Sequence, residues 1–488
     1  MGQMSRSAPP QEDTVRLGTI EPLRRADLPR VVGPLALLGP GVVLASFGFG
    51  SGELIWWPYL TAKYGLALVW LMIPAGLMQW WINYELARYV VLTGESPWAA
   101  YTRISRVFSL LYWAFAIVTL AWWGGYASAG ATAIAALTGL PPGWSARDQT
   151  IFWTLISIVL SYAALLLSRT VHRIVELFMS ACIVIGAGGV IVVAFHPAVS
   201  GHWPEFVRGL FTYNPLPPNW DPADNSILIT SIAFLGLGGF FQLTYPMWLR
   251  AVGAGMAAYV PKLKSPITGK PEPIPATGYV PREDEENRLR YRGWMRAIAI
   301  NNTWGVLVNL FTTILMAYLA FAILHPKGLF PTGYRIVVEQ ANFWGEVWGE
   351  VGFRLFLLVG AALIVDTYIV ILDWVPRLYA DVLQTNFAWA RRVPYTRWYY
   401  GLATFFAIWT AVTVFLAQPG ELIVWGGVLN FLAWPIMHVV AIYVSYRMLP
   451  RAVRWARPSL IWLAVGLTIT AVYTYLAIWY IGVTFKLF

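Results

Sequence analysis

The chain has 488 residues, of which 58% are hydrophobic and only 12% carry a charged side chain. In soluble domains charged residues approach a quarter of the chain, so this composition excludes an ordinary soluble protein and indicates a membrane protein. The formal net charge of +10 is better explained by the distribution of Lys and Arg among loops than by nucleic-acid binding. The single cysteine, Cys182, permits neither an internal disulfide nor a cysteine-based metal cluster.

Apolar runs of about 20 residues, the length that a helix needs to cross a bilayer, recur along the chain. They predict an all-α integral membrane protein with eleven transmembrane helices. The predicted spans are 34–60, 66–92, 106–138, 150–168, 172–196, 226–258, 294–325, 350–380, 399–418, 422–446 and 459–485.

Basic side chains alternate between the two sides of the predicted bundle. With the N-terminus inside, the inner segments hold 26 Lys and Arg residues and the outer segments hold seven. Because basic loops stay in the cytoplasm, we expect a multi-pass protein of the cell (plasma) membrane. Its N-terminus is expected to be cytoplasmic and its C-terminus external, with membrane lipid around it and no nucleic acid as a partner.

The first predicted span contains three glycines and a carboxylate between Gly48 and Glu53. A glycine costs a helix about 1 kcal/mol relative to Ala, and a carboxylate at membrane depth costs about 2.5–3.5 kcal/mol. Irregular backbone at that depth is tolerated where it lines a cavity, and secondary transporters bind cargo there. This pattern predicts a helix break. The candidate substrate- or ion-binding residues in it are Gly50, Ser51, Gly52 and Glu53, with Glu53 as the candidate metal ligand.

The sixth predicted span carries a second set of helix-breaking residues, Gly236–Gly239 and Gln242–Pro246. The first and sixth spans run in opposite directions and take equivalent places in two five-helix halves. This arrangement predicts a 5+5 inverted repeat in which broken helices one and six face each other. The second break adds the candidate site residues Gln242, Thr244 and Tyr245.

The same reading divides the chain into consecutive units. They are a cytoplasmic tail (1–33), a first repeat (34–196), an external loop (197–225), a second repeat (226–446) with a cytoplasmic loop (259–292), and the eleventh helix with the C-terminus (447–488).

Two carboxylates at membrane depth each have two interpretations. Glu53 either binds a cation or a proton, or caps the amides of the outer half-helix. Asp366, next to Thr367 in the eighth span, either forms an ion site or proton relay or is a buried Asp bonded to a neighbouring span. Asp366 and Thr367 are therefore also candidate site residues.

Two pairs of opposite charge have helical spacing. Glu85 and Arg88 are three residues apart in the second span, and Asp373 and Arg377 are four apart near the inner end of the eighth. Side chains at these spacings meet on one face of a helix, so both are predicted ion pairs, and a structural or gating role is expected for Glu85 and Arg88.

Three motifs resemble a known family. Gly39-Pro40-Gly41, the glycine-rich break and Glu85-Leu86-Ala87-Arg88 are similar to segments of the Nramp (natural resistance-associated macrophage protein) family of proton-coupled divalent-metal transporters. The resemblance implies the leucine-transporter-type fold and transport of a divalent metal. The family's metal-binding Asp-Pro-Gly-Asn, however, corresponds here to Gly50–Glu53. If the prolines align, Tyr245-Pro246-Met247 also lacks the family's metal-ligating Met. These departures predict a divergent bacterial-type branch without the usual metal-binding motif.

The expected function is secondary active transport of a cation, with a divalent metal as the cargo that the resemblance implies. The alternative is a small organic solute or amino acid carried by the same fold with H⁺ or Na⁺. The sequence contains no phosphate-binding Walker motif and no catalytic constellation, so neither ATP-driven transport nor an enzyme is expected. No cofactor is expected either.

Overall fold

The computed structural model describes residues 13–31, 52–166, 184–260 and 277–487. Residues 48–51 of the first predicted break and Cys182 lie outside these ranges. Within the described residues, helices account for nearly all of the regular structure.

Most of the α-helices follow the predicted apolar runs, and two short ones lie between runs. In the part of the chain that the structure describes, they are α1 (Trp57–Tyr64), α2 (Met72–Thr93), α3 (Ala99–Ile104), α4 (Arg106–Thr119), α5 (Gly124–Thr138), α6 (Ala146–Leu166), α7 (Val184–Ala194), α8 (Trp203–Leu210), α9 (Asn225–Ala233), α10 (Thr244–Val252), α11 (Glu285–Leu319), α12 (Asn342–Asn386), α13 (Tyr395–Thr413), α14 (Pro419–Tyr443) and α15 (Leu460–Thr484).

Among the described residues, six helical segments are long and apolar enough to cross a membrane, which confirms a helical membrane architecture. The number of crossings stays a prediction. The six segments are Arg106–Thr138, Ala146–Leu166, Glu285–Lys327, Gly333–Asn386, Pro419–Arg451 and Leu460–Thr484.

Two spans differ from their predicted form. The third is divided into α4 and α5 by residues 120–123, which are not helical. At the start of α5 a Cβ on Gly125 would lie only 2.9 Å from the carbonyl oxygen of Pro419, so the glycine allows α5 to lie close to α14. The eighth span, predicted as 350–380, begins where α12 is kinked at Gly349, whose φ of 58° and ψ of −145° are not helical, and it extends to Asn386.

A small sheet forms from segments that the sequence did not mark as strands. Strand β1 (Thr14–Val15) pairs antiparallel with β2 (Leu23–Ala26), and β2 pairs parallel with β3 (Tyr279–Pro281). Residues 13–31, here named the N-terminal strap, therefore pack against the protein. Their apolar side chains Leu17, Ile20, Leu23 and Leu28 are buried.

The N-terminal strap joins the region of α3 to the start of α11. Arg103 of α3 donates from Nη1 to the Leu17 carbonyl (2.6 Å), and its own carbonyl accepts from the Thr19 N–H (3.0 Å). Farther along the strap, the Leu28 N–H donates to Asn287 Oδ1 at 2.6 Å. One segment of chain therefore bridges two separate helices.

A buried ion pair supports the strap. Arg103 contacts Glu95 through Nη2 (2.6 Å) and Nε (2.7 Å), and Glu95 also accepts from the Tyr89 hydroxyl and the Gly278 N–H. Burial by itself would raise the pKa of the Glu95 carboxyl, but Arg103 and the hydrogen bonds hold that pKa below its ordinary value. The pair therefore stays ionised at neutral pH and keeps Arg103 oriented toward the strap.

Replacing Gly18 by Ala is expected to detach the strap. Gly18 has φ +75°, and a Cβ there would lie 1.9 Å from the Arg103 carbonyl oxygen. The matched control is Gly139→Ala, because Gly139 has φ +64° but no heavy atom within 4 Å of the added Cβ. Both variants carry left-handed strain of about 1–2 kcal/mol, and only Gly18→Ala adds the clash.

The measurement is limited trypsin digestion of the purified protein in detergent, following cleavage after Arg24 and Arg25 in β2. We expect faster cleavage in Gly18→Ala than in the wild type or in Gly139→Ala. Equal cleavage rates in the three proteins would show that the strap does not depend on this close contact.

Candidate functional site

The sixth predicted span is interrupted. Helix α9 ends at Ala233, residues 234–238 are not helical, and a 3₁₀ turn (Gly239–Leu243) leads into α10. We call residues 234–243 the interruption. It contains the predicted helix-breaking residues Gly236–Gly239, and it overlaps the second predicted set, Gln242–Pro246, only at Gln242 and Leu243. Pro246 instead occupies the first turn of α10, where the missing N–H removes no helical hydrogen bond.

Two glycines of the interruption are in close contact with other helices. A Cβ on Gly236 would lie 2.2 Å from Gln79 Oε1, and one on Gly239 would lie 2.1 Å from the Asn430 carbonyl oxygen. Gly239 also has φ +52°, which L side chains rarely adopt. These positions let α2 and α14 approach the interruption from two directions.

Gln79 of α2 satisfies polar groups on both sides of the interruption. Its Nε2 donates to the Ala233 carbonyl at 3.2 Å, at the end of α9. Its Oε1 accepts from the Leu237 N–H (3.0 Å) and from Gln242 Nε2 (2.9 Å). Gln79 is only 2% exposed, so the hydrogen bonds replace partners that water would otherwise provide.

Asn430 of α14 holds the second half of the interruption. Its Oδ1 accepts from the Phe240 N–H at 2.9 Å, and its Nδ2 donates to the Gly426 carbonyl of its own helix at 2.9 Å. Neither Asn430 nor Gln79 was among the predicted site residues. An amide side chain in an apolar span was the available sequence signal, with Asn430 the one amide of span 422–446 and Gln79 sharing span 66–92 with Asn83.

The first predicted break is described only in part. Gly50 and Ser51 lie outside the described residues. Gly52 and Glu53 begin a π-helical turn (Gly52–Trp56) that continues into α1, and the structure describes the backbone of Glu53 but not its side chain. The roles assigned to all four residues stay predictions.

The turn after Glu53 is tied to two other segments. The Leu54 carbonyl accepts from Nε2 of Gln340, a fully buried residue that precedes α12, at 2.8 Å. Trp57 of α1 donates from Nε1 to the Ser231 carbonyl of α9 at 3.0 Å. The chain after Glu53 therefore contacts α9, the first half of the sixth predicted span.

The predicted residues near the start of α10 are buried and carry unused hydrogen-bonding capacity. Gln242 Oε1 and Thr244 Oγ1 have no partner within the described residues. The Tyr245 hydroxyl donates to Asn301 Oδ1 of α11 at 2.9 Å. Two polar oxygens are thus available beside the interruption.

Asp366 and Thr367 lie in the middle of α12. Thr367 Oγ1 donates to the Leu363 carbonyl of its own helix at 3.2 Å. Asp366 is half-buried, and no hydrogen bond or ion pair to it occurs in the described part of the chain. The role of Asp366 as an ion site or proton relay stays a prediction. The alternative, a hydrogen bond from Asp366 to a neighbouring span, is not found among the described residues.

The predicted ion pairs are confirmed. Arg88 contacts Glu85 through Nη2 at 2.9 Å, and Glu85 also accepts from Trp462 Nε1 of α15 at 2.6 Å. Arg377 contacts Asp373 through Nη2 at 2.7 Å. Over the described ranges, no group of three or more His, Cys, Asp or Glu side chains could hold a metal.

No protein-family model and no curated protein matches the sequence. Solved structures do share the fold. A manganese transporter of Eremococcus coleocola, in complex with an aromatic bis-isothiourea substituted compound, aligns with a TM-score of 0.58 and 12% identity over 96% of this chain and 98% of that one. A mutant of that transporter aligns with a TM-score of 0.53 and 13% identity over the same shares. This similarity shows an all-α membrane fold of the leucine-transporter type.

Replacing Gln79 by Leu is expected to destabilise the interruption. The change keeps most of the volume but leaves the Ala233 carbonyl and the Leu237 N–H without their partners. Each buried unsatisfied group costs about 1–3 kcal/mol. We therefore expect a lower melting temperature for Gln79→Leu in detergent.

The matched control is Gln384→Leu. Gln384 is half-buried and donates a single hydrogen bond, to the Val393 carbonyl at 3.1 Å. Its loss is expected to lower the melting temperature less than Gln79→Leu does. The same decrease in both variants would contradict the role given to Gln79.

Proposed function

We propose that this chain is a secondary active transporter that moves a cation, with a divalent metal as the leading cargo, across the cell membrane by alternating access. The observation that carries the proposal is the interruption of the sixth span. The interruption is buried, and its backbone N–H groups donate hydrogen bonds to Gln79 and Asn430 instead of to helical partners. Broken helices near the membrane midplane are the cargo sites of this class of transporter. The fold shared with a manganese transporter supports the same conclusion.

The cargo site that we propose uses oxygen ligands from both broken spans. Glu53 and the backbone of Gly50–Gly52 contribute from the first span, and Gln242 and Thr244, whose side-chain oxygens lack partners among the described residues, contribute from the sixth. Tyr245 lies beside them. Carboxylate, carbonyl and hydroxyl oxygens are ligands that suit hard cations such as Mg²⁺ and Mn²⁺.

The thioether of Met247, which follows Pro246 in the sequence, has another contact. Met247 is buried, and its Sδ accepts a hydrogen bond from Ser96, which lies between α2 and α3, at 3.7 Å. A sulfur ligand would favour softer metals. Its contact away from the interruption supports a hard, oxygen-based site.

Asp366 is the acidic group that we propose for coupling. It is a half-buried carboxylate in the middle of α12 without a hydrogen bond within the described residues. An ionisable residue inside a membrane span marks an ion pathway or proton relay by default. We therefore assign Asp366, with Thr367 beside it, to the movement of H⁺ or Na⁺.

The second candidate is a small organic solute or amino acid carried with H⁺ or Na⁺. The half-helix α10 begins directly after the interruption, and the start of a half-helix favours the carboxylate of such a solute. Uptake into proteoliposomes from a panel of divalent metals and amino acids separates the two. Metal uptake supports the first candidate, and amino acid uptake without metal uptake supports the second.

Glu53→Gln is expected to abolish uptake with little loss of thermal stability. The amide keeps the size of the side chain but removes the charge that would hold a cation. The matched control is Glu346→Gln, which removes a carboxylate from an exposed pair with Lys327 and should leave uptake unchanged. Wild-type uptake and pH dependence in Glu53→Gln would exclude it as the metal ligand and leave Asp366 as the acidic candidate.

We also expect Mn²⁺ and Fe²⁺ to compete for uptake with about the same strength as Mg²⁺ and Ca²⁺, because no thioether is assigned to the site. The measurement is competition of each ion against radiolabelled Mn²⁺ in proteoliposomes. Met247→Ala should leave the order of competition unchanged. Selective Mn²⁺ uptake that this substitution abolishes would place the Met247 sulfur in the cargo site.

A further inference from the structure

Helix α2 contacts α11 on one side and α15 on the other. Trp80 of α2 donates from Nε1 to Thr303 Oγ1 of α11 at 2.8 Å. The Trp80 ring stacks on Tyr84 and packs edge-on against Trp462 of α15, with ring centroids 4.9 and 5.7 Å apart. All three rings are only half-buried. They form the floor of a shallow groove, here named the aromatic groove, whose walls are α11 and α15.

The exposed side chains on the α11 wall change from basic to apolar along the helix. Arg292 and Arg296 precede Thr303 by eleven and seven residues, so helical spacing places them on the edge of α11 that contacts α2. Both arginines are exposed. One turn after Arg296 the exposed residues are apolar, with Ile300 at 52% and Trp304 at 54%. This change marks the level at which α11 enters the membrane.

The positive charge of these two arginines is not neutralised by the protein. In the part of the chain that the structure describes, neither guanidinium has a hydrogen bond or an ion pair. The acidic side chains at the start of the same helix have other partners, since Glu285 contacts Arg288 at 3.1 Å and Glu286 contacts Arg290. An anion from outside the chain can therefore pair with the two arginines.

A third exposed arginine, Arg454, lies near the same end of the aromatic groove. Tyr291, which precedes Arg292, packs against Trp455, which follows Arg454, with ring centroids 5.0 Å apart. The Arg454 guanidinium has no partner among the described residues, although its backbone N–H donates to Glu283 Oε1 at 2.9 Å. Three arginines and one carboxylate, Glu283, therefore lie around this end, which leaves a net positive charge.

The carboxylate beneath the floor does not cancel this charge. Glu85 accepts from Nε1 of Trp462 at 2.6 Å and is paired with Arg88 at 2.9 Å. The aromatic groove thus offers net positive charge at one end and apolar surface along its length. A free anion would match only the first of these, whereas a lipid with an acidic headgroup matches both.

We propose that the aromatic groove binds one acidic phospholipid. Its phosphate lies at Arg292, Arg296 and Arg454, and its acyl chains lie along Ile300 and Trp304. Basic pockets between transmembrane helices bind anionic lipid headgroups, and guanidinium groups form strong charge-assisted hydrogen bonds with phosphate. The lipid binds whether or not the chain transports a cation, so the inference does not rest on the proposed function.

The test is the melting temperature of the purified full-length protein in micelles of a neutral detergent, with phosphatidylglycerol or phosphatidylcholine added. We expect phosphatidylglycerol to raise the melting temperature about 2 °C more than phosphatidylcholine does, at ten times its half-effect concentration. Inorganic phosphate should cause no rise, because it has no acyl chain for the apolar part of the groove. Equal effects of the two lipids, or the same rise with phosphate, would overturn the proposal.

Two double variants locate the lipid. Arg292→Gln with Arg296→Gln should lose the rise that is specific to phosphatidylglycerol. The matched control, Arg147→Gln with Arg208→Gln, removes two exposed arginines from α6 and α8, which also lack partners among the described residues, and should keep the rise. A rise that persists in the first variant, or that is lost equally in both, would overturn the proposal. No cargo is present, so the result is independent of the uptake assays.

Discussion

The architecture depends on hydrogen bonds from side-chain amides to the backbone of an interrupted helix. Where α9 stops, peptide groups lose their helical partners in an environment that offers little water. Gln79 and Asn430 supply the missing partners with neutral groups, which avoids the larger penalty of burying a charge. Because Gln79 belongs to α2 and Asn430 to α14, the geometry of the interruption is set jointly by elements far apart in the sequence.

The sequence was most informative where the structure depends on local geometry. Apolar runs located the helices, and the helical spacing of Glu85 with Arg88 and of Asp373 with Arg377 was enough to predict their ion pairs. Such contacts form within one turn of a helix, so no knowledge of the tertiary structure is needed. The two pairs also leave fewer carboxylates free for transport chemistry.

The sequence was less informative where an element ends because of a distant partner. In the sixth span the glycines Gly236–Gly239 do lie in the interruption, but Pro246, a visible helix breaker, lies inside α10. The carbonyl that ends α9 is bonded to a residue 154 positions away. The strands of the small sheet have at most four residues each and carry no alternating pattern. Their pairing depends on tertiary contacts that a single sequence does not display.

The N-terminal strap has a mechanical consequence. Thr19 is fixed to Arg103 in α3, and Leu28 is fixed to Asn287 in α11. The roughly nine residues between these anchors reach at most about 30 Å when fully extended. As long as both anchors hold, the strap is a tether of fixed length, and it limits how far the α3 and α11 ends of the molecule can separate.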